Sequence, residues 1–268
     1  MSYGKWWFMR RATAFAVTGL FALSIYGGHR ILLGNYSSST FLGVVPFTDP
    51  LLAIQSFLAT GGLYTTAAAG AVIITLFYFM VGARAFCGWV CPLGVAVDFS
   101  NWLADKLGLK KPFQGFPSAT RYYALAIIIM APLFSGIALY EMYNPISILH
   151  RAILFGGFGV GVISWLIVGT LLLYEFAIAR TGWCRSLCPL GAFYSLVGRF
   201  SPVEVIADES RGPIPRNIGE VCPEPRALAR ILRHKPPSGE CTMCGACVDS
   251  AGNGSLRFGF KRFAKKGK

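Results

Sequence analysis

The sequence predicts an all-α membrane protein, with four transmembrane helices built as two parallel hairpin repeats and a small cysteine-bearing tail on the cytoplasmic side. Three observations predict it. The 268 residues are 54% hydrophobic and only 14% charged, a make-up that would leave large apolar patches exposed in water. Four stretches, 12–28, 50–83, 122–140 and 152–174, contain no charged residue. A cysteine motif with its flanking residues occurs twice, once after the second stretch and once after the fourth.

A helix that crosses a bilayer needs about 20 apolar residues, and each stretch can supply them. The first follows the basic run KWWFMRR; no convincing cleavage site follows it, so it reads as an uncleaved span rather than a removed signal. Stretch 50–83 has its most helical pattern from about Tyr64 onward. Four spans place all but Arg30 and Arg151 of the 25 Lys and Arg residues on one side. Basic loops stay in the cytoplasm, so both termini are expected there. The net charge of +13 then reads as this bias plus attraction to anionic headgroups, not as a nucleic-acid footprint. Residues 1–200 form the expected membrane domain and 201–268 the tail, ending in the basic segment RFGFKRFAKKGK (257–268).

The repeat pairs RAFCGWVCPLG (84–94) with TGWCRSLCPLG (181–191), and TDPLLAIQ (48–55) with YNPISILH (143–150). Both units run in the same direction, so a parallel repeat would bring two C-x3-C-P pairs together at one membrane depth. On a helix, residues i and i+4 share a face, so Cys87 with Cys91, and Cys184 with Cys188, would each point one way. These four thiols could hold a second metal or cluster, act as two redox dithiols, or be small buried residues of a turn.

All eight cysteines fall on the expected cytoplasmic side, where thiols stay reduced and metal ligation is more natural than a disulfide framework. In the tail, Cys241, Cys244 and Cys247 stand at C-x2-C-x2-C spacing, but Ala251 occupies the place of the fourth cysteine. Two-cluster ferredoxins carry C-x2-C-x2-C-x3-C-P twice, and the last cysteine of each run ligates the other cluster. Cys222-Pro223 is the ending of such a first run, whose other three places hold Gly212, Pro215 and Ile218. The losses are complementary. They remove one site and leave Cys222, Cys241, Cys244 and Cys247 as a full ligand set for one [4Fe–4S] cluster, with zinc or an empty relic as the alternatives. The tail is therefore expected to be a ferredoxin-like iron–sulfur tail.

GNYSSS (34–39), VPFTDPL (45–51), FCGWVCPL (86–93), GWCRSLCPLGA (182–192), CPEP (222–225) and CTMCGAC (241–247) resemble the NapH family. That family is the membrane ferredoxin-type subunit of the periplasmic nitrate reductase quinol dehydrogenase, and related patterns occur in NosR and MauN proteins. The resemblance implies a multi-pass protein of the bacterial inner membrane that takes electrons from menaquinol or ubiquinol. It implies a periplasmic iron–sulfur subunit and a periplasmic reductase as partners, with no nucleic acid. The chain departs from the family pattern in lacking the first tail cluster. A membrane scaffold or maturation factor, with a structural or sensing cluster, is the alternative.

Quinol oxidation releases protons as well as electrons, so ionisable residues at the membrane edges are candidates for that site. They are Asp49, Glu141 and His150 on the periplasmic side and Glu175 on the other; a headgroup contact or a helix end is the plainer role for each.

Overall fold

The computed structural model describes residues 4–28, 31–62, 64–82, 84–109, 116–155, 161–179, 181–215, 218–233 and 239–260. The chain opens with α1 (Lys5–Tyr26), followed by β1 (Leu32–Gly34), β2 (Ser38–Phe41) and β3 (Val45–Thr48), which pair in that order as an antiparallel sheet. Next come α2 (Pro50–Thr60), α3 (Thr65–Val81), α4 (Ala85–Trp89) and α5 (Pro92–Lys106). After α6 (Thr120–Ser135) and α7 (Leu139–Tyr143), the sequence runs α8 (Pro145–Leu154), α9 (Val162–Ala177), α10 (Gly182–Ser186) and α11 (Pro189–Gly198). The C-terminal part holds β4 (Val203–Ala207), α12 (Ile218–Val221), α13 (Pro225–Leu232), α14 (Ala246–Ala251) and β5 (Leu256–Phe260), with β4 antiparallel to β5.

The sequence repeat reappears as repeated helix starts. α2, α5, α8 and α11 each begin with proline, placed where the missing N–H has no intrahelical acceptor to lose. The preceding residue is extended, as a following proline requires. At α2 the Asp49 carboxylate accepts the Leu51 N–H (2.8 Å), and at α8 the Asn144 side chain accepts the Ile146 N–H (3.1 Å). At α5 and α11 the capping residues are Cys91 and Cys188. The two units interlock: α5 packs against α8 and α9, and α11 packs against α3 and α6.

The expectation of four transmembrane helices in an all-α fold is corrected. Among the described residues one helix, α1, is long and apolar enough to cross a membrane. The stretch 50–83 divides at Gly61, whose φ of 66° ends α2; glycine adopts this left-handed conformation without a Cβ clash. Stretch 122–140 ends α6 at Ser135, where Gly136 is left-handed at φ 67° and Pro132 lies in the last turn. Stretch 152–174 covers the end of α8 and most of α9, while 156–160 lie outside the described residues. α3, α6 and α9 have 17, 16 and 16 residues, short of about 20. Their outer faces are apolar, with Phe77, Met80, Phe134, Val162 and Ile163 exposed. Five short strands also lie among the described residues.

The C-terminal part shares one hydrophobic core with the repeats. Leu51, Phe86, Leu93, Leu190 and Tyr194 belong to the same buried cluster as Val205, Leu228, Met243 and Leu256. Of the basic C-terminal segment, 261–268 lie outside the described residues.

Candidate iron–sulfur site

Cys222, Cys241, Cys244 and Cys247 all line one small pocket between β4, α13 and the cysteine loop. Cys222 comes from the segment after α12, and the other three from the loop leading into α14. Apolar walls from Val205, Ala227, Leu228 and Ile231 exclude water. The loop curls through two left-handed residues, Met243 (φ 53°) and Gly245 (φ 74°). A non-glycine residue there costs roughly 1–3 kcal/mol, a strain that concentrates at binding sites. Trp89 Nε1 donates to the Met243 carbonyl (2.8 Å) and holds that turn.

The donor set fits a cluster. Among the described residues, no three His, Cys, Asp or Glu side chains are grouped to hold a single metal ion. Four cysteines and no histidine are the donor type that iron–sulfur clusters take, three of them at the spacing of a ferredoxin run. Burial, reinforced by Cys244, pushes the Cys241 thiol up to about 12. Burial and the neighbouring cysteines raise Cys222 and Cys247 as well. Thiols this hard to ionise become ligands when a cationic centre offsets their charge.

The other cysteine group lies across a shared wall. Cys87 and Cys184 line a cavity of ≈ 60 Å³ with Arg84, Thr181, Glu224 and Thr242, and the last two residues also line the first cavity. Cys91 and Cys188 sit at the starts of α5 and α11. The Gly191 N–H donates to Cys188 Sγ (3.4 Å), and the backbone of Leu93 and Gly94 hydrogen-bonds Cys91. A helix N-terminus favours a thiolate there. Burial still dominates, pushing Cys188 up to about 12 and raising Cys87, Cys91 and Cys184.

Sequence reasoning missed the charged residues that join the two groups. Fully buried Arg84 donates through Nη1 to Glu224 Oε1 (2.9 Å) and to the Glu240 carbonyl (2.7 Å), and through Nη2 to the Cys184 carbonyl (3.1 Å). Arg121, also fully buried, reaches Glu240 Oε1 (2.7 Å). Arg185 lies 3.8 Å from Glu224 Oε2. Arg84 and Arg121 were visible as lone charges bordering apolar runs, and Glu224 as the acid of CPEP; their pairing was not.

The four edge residues have structural partners, and neither cysteine cavity includes them. Asp49 caps α2. Glu141 accepts from Ser37 Oγ (2.7 Å) and pairs with Arg151 (3.5 Å). Glu175 is fully buried and accepts the N–H groups of Gly182 (3.0 Å) and Trp183 (2.6 Å), which holds the turn that carries Cys184. His150 lies between the rings of Phe21 (4.8 Å) and Tyr36 (4.6 Å) with neither nitrogen hydrogen-bonded, and burial, with Arg151, lowers it to about 4.

Comparison with known proteins adds the family. A family described as a 4Fe-4S binding domain matches twice, at residues 64–110 and 158–204. Methylamine utilization ferredoxin-type protein MauN of Methylorubrum extorquens is 38% identical over 232 residues, covering 85% of this chain and 78% of that protein. Ferredoxin-type protein NapH of Escherichia coli is 38% identical over 252 residues, 91% of this chain and 86% of its own. NapH of Haemophilus influenzae is 35% identical over 266 residues, 94% and 91%. The chain belongs to the NapH/MauN family of ferredoxin-type proteins. No solved structure matches it.

Each 4Fe-4S match contains one C-x3-C-P pair, and neither includes the tail cysteines. The expectation of a small separate iron–sulfur tail is thereby corrected. Iron–sulfur domains run through the middle of this NapH/MauN chain, and the tail is packed into the same core. Together they support an iron–sulfur electron-transfer role.

Proposed function

We propose that this chain is a membrane-attached subunit that carries electrons from the quinol pool of the bacterial inner membrane toward a periplasmic reductase such as nitrate reductase. Cys222, Cys241, Cys244 and Cys247 hold one [4Fe–4S] cluster. Cys87, Cys91, Cys184 and Cys188 hold a second cluster or metal. The observation that carries this reading is the convergence of the four tail cysteines on one cavity, beside another cysteine pocket that shares Glu224 and Thr242.

When bound, a [4Fe–4S] cluster accepts and gives up single electrons. The chain's own residues do the rest. The thiolates bind, while Val205, Leu228 and Ile231 keep water away. Arg84 and Arg121 place fixed positive charge beside the cysteine turns, opposing their accumulated negative charge. α1 attaches the protein to the membrane, and the exposed apolar side chains of α3 and α9 add to that attachment. The chain is equally similar, at 38%, to a MauN and a NapH protein, so what it shares is the electron-transfer unit more than one terminal enzyme. A periplasmic iron–sulfur subunit is the partner this reading needs.

The test is an anaerobic titration of the purified protein with decylubiquinol and with a reduced menaquinone analogue. Bleaching of the cluster absorbance in step with added quinol supports the carrier. An intact cluster that no quinol reduces contradicts it and favours a scaffold.

A further inference from the structure

We propose that the quinol headgroup binds in the apolar cavity of ≈ 310 Å³ bounded by α1, α3, α4, the cysteine loop and β5. This inference rests on the quinol reading above and gives that reading a place. Trp6, Phe77, Tyr78, Trp89, Met243 and Phe258 form most of the wall. Trp6 meets Phe258 edge-on at 4.8 Å and Trp89 at 6.0 Å, so flat rings frame the space. A planar, weakly polar ring suits such walls, and the volume lies at the lower end of the range of small-molecule sites, about the size for a single ring.

Three further observations choose this occupant. Among the described residues, no Asp, Glu, Lys or Arg side chain lines the cavity, so a nucleotide or an anionic headgroup finds no counter-charge in that lining. Two of its lining residues, Phe77 and Val81, are exposed on the apolar outer face of α3. A ligand therefore enters from an apolar phase. The inner wall is also within two residues of the proposed ligand cysteines of both groups. Val90 adjoins Cys91, Met243 adjoins Cys244, and Ala85 and Trp89 bracket Cys87. Tyr78 and Thr13 are the lining residues that carry a hydroxyl, the Thr13 Oγ1 donating to the Met9 carbonyl (3.0 Å) and so left as an acceptor. The four edge residues Asp49, Glu141, His150 and Glu175 line no part of it.

The test uses the full chain in detergent, with decylubiquinone as the probe and tryptophan fluorescence as the readout. Saturable quenching that is lost in Trp6→Phe/Trp89→Phe is expected. Thr13→Phe/Val81→Phe narrows the mouth and is expected to weaken binding by about tenfold or more; Val203→Phe, from the β4 side, is expected to do the same. Iron content identifies the variants that fold. Unchanged affinity in both obstructed variants overturns the location. So does weakening by Asp49→Asn/His150→Ala instead, which leaves the quinol reading standing. Quenching by a brominated-acyl phospholipid that decylubiquinone cannot displace puts an acyl chain in the cavity and also overturns the location. Absence of quinone binding, with no quinol reduction of an intact cluster, removes both the location and the reading.

Discussion

Arg84 and Glu224 form a buried ion pair, Nη1 to Oε1 at 2.9 Å, which fastens the first cysteine turn to the Cys-Pro segment of the tail. Arg84 also holds the Cys184 carbonyl of the second turn, so one side chain reaches both repeats and the tail. Removing one member of such a pair leaves the other charge buried and costs about 3–5 kcal/mol. Arg84→Met is therefore expected to loosen the tail, seen as faster limited proteolysis after residue 200 and a lower unfolding midpoint. Arg84→Met/Glu224→Leu is expected to recover much of the loss. Equal damage in the single and double variants would contradict the ion-pair account.

Gly88, between Cys87 and Trp89, packs directly against the tail. A Cβ there would lie 2.6 Å from the Thr242 carbonyl oxygen, a backbone atom that cannot swing aside. Gly88→Ala is expected to cost about 1–3 kcal/mol and to disturb the Trp89–Met243 hydrogen bond, read as a shift in tryptophan emission. Gly169, in α9, has nothing within 4 Å of its Cβ position; Gly169→Ala is the matched control and is expected to be neutral or slightly stabilising.

Asp49 gives a pH dependence with a defined sign. Burial, opposed by the Leu51 N–H and assisted by Glu141, pushes its carboxyl from 3.8 up to about 7. The folded state then binds a proton more tightly than the unfolded chain. Stability falls as pH rises through that window, and the penalty is complete above about pH 7. Asp49→Asn keeps the acceptor for the α2 cap, as Asn144 does for α8. It is expected to stabilise the protein by a few kcal/mol near pH 8 and to change little near pH 4. Denaturation midpoints at the two pH values check this.

Glu175 is expected to act through the Cys184 turn. Its carboxylate takes the N–H groups of Gly182 and Trp183, and Glu175→Gln can satisfy only one of them with its carbonyl oxygen. Hydrogen bonds to a charged acceptor contribute about 1.5–3 kcal/mol. The variant is expected to lose metal at the C-x3-C-P group while the tail keeps its own, read by iron analysis and cluster spectroscopy.

The features that were legible in the sequence are those that local chemistry fixes. The paired Pro helix starts, the two C-x3-C-P turns and the tail's cysteine spacing all show in short runs of residues. The number of crossing helices was not legible, because composition reports apolarity but not where Gly61 and Gly136 turn left-handed. The docking of the tail was also hidden, since it rests on pairs such as Arg84–Glu224 and Arg121–Glu240 that lie far apart in the chain. Both 4Fe-4S matches fall on the repeats, whose C-x3-C-P spacing has no counterpart in the ferredoxin runs that make the tail readable. The ionisable residues chosen by position turned out to be capping, pairing or packed in rings, which position alone does not reveal.

The central claim is that Cys222 completes the ligand set of Cys241, Cys244 and Cys247. Iron and acid-labile sulfide, measured on anaerobically purified wild type and Cys222→Ala, test it most directly. The account predicts that the variant loses about four irons and four sulfides per chain, one cube's worth, while any centre at the C-x3-C-P cysteines keeps its signal. A Cys222→Ala protein that retains the full wild-type complement would contradict it.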